Sequence, residues 1–125
     1  MNNILAIDYG ERFLGLAVRT AKTTIPIPLK VIDSKNDIIK KSLIDCIKEY
    51  SINEIVIGYP IGLNNSENRM TNLVNEFIED INEFNIPIFK IDERLSSKLF
   101  KSNSKDRIDD LSALEILESY IYKND

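Results

Sequence analysis

At 125 residues, with 43% hydrophobic and 29% charged side chains and a net charge of −4, the chain can build one cored domain over residues 1–125 but not two lobes. It has no histidine and a single cysteine, Cys46, so histidine-dependent serine and cysteine triads are excluded and a zinc site lacks its usual ligands. Any acid–base or metal chemistry must rest on carboxylates, lysines or tyrosines.

Residues 3–9 and 13–20 read as two strands joined by a turn at Gly10. A third strand is expected over about 24–33, where Ile25, Ile27, Leu29 and Val31 alternate with a period of two. Pro26 and Pro28 cannot donate to a ladder, which places the start of this strand at a sheet edge. Asp33-Ser34-Lys35-Asn36 has the composition of a helix start, and Ile39, Leu43, Ile47 and Tyr50 then recur at helical spacing, with Ile44 beside them. Glu54 to Gly58 is a short, continuously apolar strand, the pattern of a buried parallel strand. Its exit, Tyr59 to Ser66, is rich in turn formers. Val74, Phe77, Ile78, Ile81 and Phe84 mark the next amphipathic helix, and Ile86 to Ile91 the next strand. A short helix is expected near 95–101. The last helix begins near Asp109 with Leu111, Leu114, Leu117 and Ile121 as its inner face. The order β-β-β-α-β-α-β-α predicts an α/β fold, a five-stranded mixed sheet with helices on both faces.

No apolar run approaches the ~18 residues of a membrane span, and the N-terminus opens into a strand rather than a signal segment. The single cysteine fits a reducing compartment, so a cytoplasmic location without membrane attachment is expected. The acidic total, with a sequence pI near 4.9, runs against the basic balance usual in nucleic-acid binders.

Three acidic sites fall where elements end. Asp8 leaves an apolar strand, where a charge is unfavourable unless a ligand offsets its desolvation. Asp92-Glu93 leaves the last strand, and Asp109-Asp110 opens the last helix. Carboxylates gathered at one place stay ionised together only if cations neutralise them. Magnesium suits such a set, because it takes a few carboxylate oxygens and keeps water and phosphate oxygens as its other ligands. Two magnesium ions, or manganese in their place, would support phosphodiester hydrolysis without histidine. Each site also has a plainer reading. Asp8-Tyr9-Gly10 is compatible with a simple hairpin turn, Glu93 with a surface pair to Arg94, and Asp109 or Asp110 with a helix cap.

In order, Ile7-Asp8-Tyr9-Gly10 with Gly15, Ile57-Gly58-Tyr59-Pro60-Ile61 with Ser66-Glu67, Asp92-Glu93-Arg94-Leu95-Ser96, and Ile108-Asp109 leading into Ile116-Leu117-Glu118-Ser119-Tyr120 resemble the YqgF (RuvX) family. This family of small ribonuclease-H-like proteins is described as Holliday junction resolvase-like and as pre-16S rRNA nucleases. The resemblance implies a ribonuclease-H-like fold, with Asp8, Glu93 and Asp109 as catalytic, metal-binding acids. It implies nucleic-acid contacts at Arg94, Lys105 and Arg107, and Arg12 in the first turn is a further candidate. The segment Ser97 to Ser104 is shorter than the family's usual flap, Phe13 stands where many members carry a basic residue, and Gly62, Asn64 and Asn65 depart from the usual loop.

The expected function is therefore a metal-dependent endonuclease that processes the 5′ end of precursor 16S rRNA. Resolution of branched DNA, acting as a homodimer rather than a monomer, is the alternative. A weakly catalytic RNA-binding assembly factor is the other. An actin-like ATPase lobe also places an Asp-Gly turn after a strand, but that fold requires far more chain.

Overall fold

The apolar run Ile4–Ile7 lies at the centre of the sheet, with strands paired on both of its sides. The computed structural model describes residues 2–60, 69–92 and 110–124. In chain order these form β1 (Ile4–Asp8), β2 (Phe13–Arg19), β3 (Ile27–Asp33), α1 (Ile39–Tyr50), β4 (Glu54–Tyr59), α2 (Arg69–Ile81), β5 (Ile88–Asp92) and α3 (Asp110–Asn124). A single 3-10 turn, Asn82–Phe84, follows α2. The strand order is β3-β2-β1-β4-β5. Short turns make β1–β2 and β2–β3 antiparallel, while the crossovers through α1 and α2 bring β4 beside β1 and β5 beside β4 in parallel. This is the expected mixed five-stranded sheet.

Side-chain alternation divides the sheet into two apolar faces. Leu5, Ile7, Leu14, Leu16, Val18, Ile55 and Ile57 form one core with Leu43 and Cys46 of α1 and Val74, Phe77 and Ile81 of α2. Ile4, Ala6, Ala17, Val56 and Ile91 point the other way and pack against Ala113, Ile116 and Leu117 of α3. The small residues Ala6, Ala17 and Ala113 let α3 lie close to the central strands. Among the described residues, no helix is long and apolar enough to cross a membrane.

Three local expectations are corrected. Strand β3 is at the edge, as its prolines require, but begins at Ile27, after Thr24 takes a left-handed backbone and Ile25 stays exposed. A bulge opposite Leu16 and Ala17 then shifts its register, so Ile27 pairs with Val18 and Ile32 with Leu14, on the same face despite their odd spacing. The cluster Asp33–Asn36 closes a turn rather than capping α1. The Asp33 carboxylate accepts from the Lys35 N–H and from Asn36 Nδ2, and α1 begins at Ile39 without a side-chain cap. The buried stripe of α3 is Ala113, Ile116 and Leu117, with Leu114, Tyr120 and Ile121 at its margin. Leu114, Leu117 and Ile121 lie on the expected face, but its centre shifts to Ala113 and Ile116, which fit against the small sheet residues. The short helix expected near 95–101 lies outside the described residues.

Candidate active site

Asp8 is the last residue of β1 and is half-buried. By alternation it shares the face of Ile4 and Ala6, which is the face α3 covers. Its cross-strand partner on β2 is Gly15. On the other side, Gly58 is the next position beyond the Ile7–Ile57 pair of the parallel ladder. Directly paired residues carry their Cβ atoms only ~5 Å apart, so a side chain at either position would crowd the carboxylate. Both neighbours are glycine. The two strand positions beside Asp8 therefore carry no side chain, on a face otherwise filled by packing.

Helix α3 lies on the same face of the sheet as Asp8. At its far end the Tyr120 hydroxyl donates to the carboxylate of Glu54, the first residue of β4. From Asp110 to Tyr120 the helix rises about 15 Å at ~1.5 Å per residue. Strand β1 spans about 13 Å from Ile4 to Asp8. From its Tyr120 end, α3 crosses β1 and β2 on the face that Asp8 shares, and it begins at Asp110. A helix N-terminus favours negative charge there.

The turn after Asp8 has little freedom. A Cβ on Gly10 would stand 2.5 Å from the Phe13 carbonyl oxygen, so a side chain would force the backbone apart. Tyr9 turns to the opposite face and stacks on Phe77, ring centroids 4.8 Å apart. Burial, then the negative charges of Glu11, Glu76 and Asp80, push its hydroxyl pKa up. Arg12 lies over the Phe13 ring and donates through Nε and Nη2 to the two Asp33 oxygens at 3.0 and 3.1 Å. That hydrogen bond holds the Asp33 carboxyl below its usual range. Glu11 takes both Nη groups of Arg69, the first residue of α2. The exit of β4 is tied to the same helix, because the Thr71 hydroxyl donates to the Pro60 carbonyl and Asn75 to the Tyr59 hydroxyl.

Of the sequence-predicted site residues, Asp8 and Arg12 are described, and both sit at this end of the sheet. Arg12 is engaged with Asp33 rather than presented alone. Glu93, Arg94, Lys105, Arg107 and Asp109 lie outside the described residues. Among the described residues, no three or more Asp, Glu, Cys or His side chains form a group able to hold a metal. Asp8 supplies carboxylate oxygens at the strand exit, a donor type that suits a hard divalent cation. Sequence reading missed the Glu11–Arg69 pair. Its partners are far apart in the chain and neither stands out from its local pattern.

Comparison with known proteins agrees with this architecture. A family model described as "RuvX: Holliday junction resolvase" matches residues 2–123. A protein of Sulfurihydrogenibium sp. (strain YO3AOP1) named "Putative pre-16S rRNA nuclease" is 34% identical, over 97% of this chain and 90% of its own length. A protein of the same name from Ruminiclostridium cellulolyticum is 36% identical, over 94% of this chain and 92% of its own. In three dimensions the chain superposes on "T. thermophilus RuvC in complex with Holliday junction substrate" with a TM-score of 0.62 at 12% identity. That overlap covers 99% of this chain and 95% of the RuvC chain, and it shows a shared ribonuclease-H-like fold.

Proposed function

The chain belongs to the RuvX family, and from that premise we propose that it is a metal-dependent endonuclease that processes the 5′ end of precursor 16S rRNA in the cytoplasm. The names of its relatives support the substrate. The observation that carries the chemistry is Asp8, half-buried at the exit of the central strand between Gly15 and Gly58 and on the face beneath α3. Glu93 follows the buried Ile91 by two positions, and Asp109 immediately precedes α3. In this reading Asp8, Glu93 and Asp109 hold one or two magnesium or manganese ions. Bound there, the ions supply an activated water and neutralise charge on the leaving oxygen. The chain itself contributes a rigid turn at Gly10 that fixes Asp8, and a helix N-terminus that favours anionic groups. In this reading Arg94, Lys105 and Arg107 meet phosphates, while Arg12 stays paired with Asp33.

The family description favours a second reading, resolution of a four-way DNA junction. That activity requires a two-fold dimer to present two sites to opposite strands. Both readings are tested by incubating the purified chain with precursor 16S rRNA and with a four-way junction, in magnesium or manganese, beside Asp8→Asn. Cleavage of the rRNA precursor by wild type and not by Asp8→Asn is expected. Equal cleavage by both proteins would sink the assignment, and binding of RNA without cleavage would support an assembly factor instead.

A further inference from the structure

Residues 11 and 12 of the β1–β2 turn each engage a fork-shaped ion pair, and the two pairs are held very differently. Arg12 is fixed on several sides. It stacks on Phe13 at 4.7 Å from the ring centroid, and its partner Asp33 also accepts from the Lys35 N–H and Asn36 Nδ2. Releasing Arg12 would give up its ring contact as well as its bonds to an Asp33 that is itself built into the turn after β3. The Glu11–Arg69 pair has no such embedding. Both Nη groups of Arg69 donate to both oxygens of Glu11 at 2.5 Å, with side chains 50% exposed for Glu11 and 71% for Arg69. Among the described residues, these two side chains hydrogen-bond only to each other. An exposed pair of this kind adds little to stability, because water screens it.

Position makes the pair consequential. Glu11 follows Asp8 by three residues, and Arg69 opens the helix tied by Thr71 to the exit of β4. Arg69 therefore stands at the end of the sheet where Asp8 emerges. The first turn of α2 carries no acidic residue. A guanidinium fork accepts a phosphate in the geometry it uses for a carboxylate, through two parallel N–H bonds. The carboxylate of Glu11 fills the place that a backbone phosphate would take.

We propose that Arg69 is a nucleic-acid phosphate contact, and that Glu11 is its internal placeholder, displaced when the substrate backbone arrives. The proposal rests on the nuclease reading and adds to it a binding residue and a charge gate. Arg69, not the embedded Arg12, is the exchangeable cation of this turn. The gate disfavours isolated anions, since one phosphate must displace a carboxylate already in place. A polyanion brings many phosphates to the same surface and overcomes it.

The test is fluorescence anisotropy with a labelled RNA duplex, in chelator so that cleavage does not intervene. A gate and a structural latch give opposite signs. Glu11→Gln is expected to tighten binding about 3- to 10-fold at low salt, and Arg69→Gln to weaken it by a similar factor, lowering the salt slope by about one. In the Arg69→Gln background, Glu11→Gln should change affinity less than about twofold, because its effect passes through Arg69. Equal tightening with and without Arg69 would reduce Glu11 to general charge repulsion, and weakening by both single variants would make the pair a latch. Either result overturns the proposal while leaving the nuclease reading intact. No RNA binding by the wild-type chain would overturn both.

Discussion

Where β1 begins, polar side chains are joined to one another; where it ends, a carboxylate is set among glycines. At the first end, Asn3 accepts from the Ala21 N–H through Oδ1 and donates through Nδ2 to the Tyr50 and Ser51 carbonyls. Its backbone exchanges bonds with Asn53, so one residue links β1, the β2–β3 turn, the end of α1 and the start of β4. Beside it, Glu54 receives Asn2 Nδ2 and the Tyr120 hydroxyl. At the other end, β1, β4 and β5 all stop, and Asp8 is flanked by Gly15 and Gly58. The contrast follows from topology. In a sheet with parallel strands, the helices that follow them start at the carboxyl ends, and ligands bind there. The amino ends are left to hold the fold together.

Substitutions at the two ends should separate activity from stability. The largest effect is expected for Asp8→Asn, a loss of at least about 100-fold in cleavage, since even groups supporting metal ligands are worth 10–100-fold. Its melting temperature should stay close to wild type, and a large drop would mean that Asp8 serves the fold. Asn3→Ala should do the reverse. Losing three side-chain hydrogen bonds is expected to destabilise by about 2–3 kcal/mol in urea denaturation, with the cleavage rate of the folded protein unchanged. Gly10→Ala tests the link between the ends, because its Cβ meets the Phe13 carbonyl. A loss of about 1–2 kcal/mol is expected, accompanied by reduced cleavage as the turn moves Asp8.

The smallest effect is expected for Tyr120→Phe, about 1 kcal/mol at neutral pH, for a part-exposed hydrogen bond to a carboxylate. Its pH dependence has a definite sign. Burial, then the bond to Glu54, push the Tyr120 pKa up to about 12 from an ordinary value of 10.0. The stability it contributes is therefore complete below pH 10 and is lost as pH rises through about 12. Denaturation of wild type and Tyr120→Phe at neutral pH and near pH 11 should show the difference shrinking. A constant difference would mean the hydroxyl does not titrate against Glu54. The half-buried Asp33 behaves oppositely: Arg12 lowers its pKa, so its contribution fades as pH falls below the usual carboxylate range.

Local pattern made much of this legible. The runs Ile4–Ile7 and Glu54–Gly58 read as buried strands, and Val74, Phe77 and Ile81 as a helix face, because alternation and helical spacing are properties of neighbouring residues. The errors came where a local signal had two uses. Asp33 to Asn36 has the chemistry of a helix cap, and the chain uses it to end a strand. The β3 alternation is broken by a bulge set by pairing with β2. The inner face of α3 was only partly read, Leu114, Leu117 and Ile121 but not Ala113, because alanine carries little hydrophobic signal until its partner surface is known.

Local pattern alone was enough for most of the elements, for excluding histidine chemistry and for singling out Asp8 as a candidate. What flanks that aspartate in the sheet came from long-range pairing. Gly15 reaches it through an antiparallel hairpin and Gly58 through a parallel crossover. Helix α3 covers the face that Asp8 shares, and Tyr120 ties that helix to Glu54. Arg69 meets Glu11 from the start of the next crossover helix, α2. Sheet register and helix direction are set by packing between distant segments, and no window of neighbouring residues contains that information.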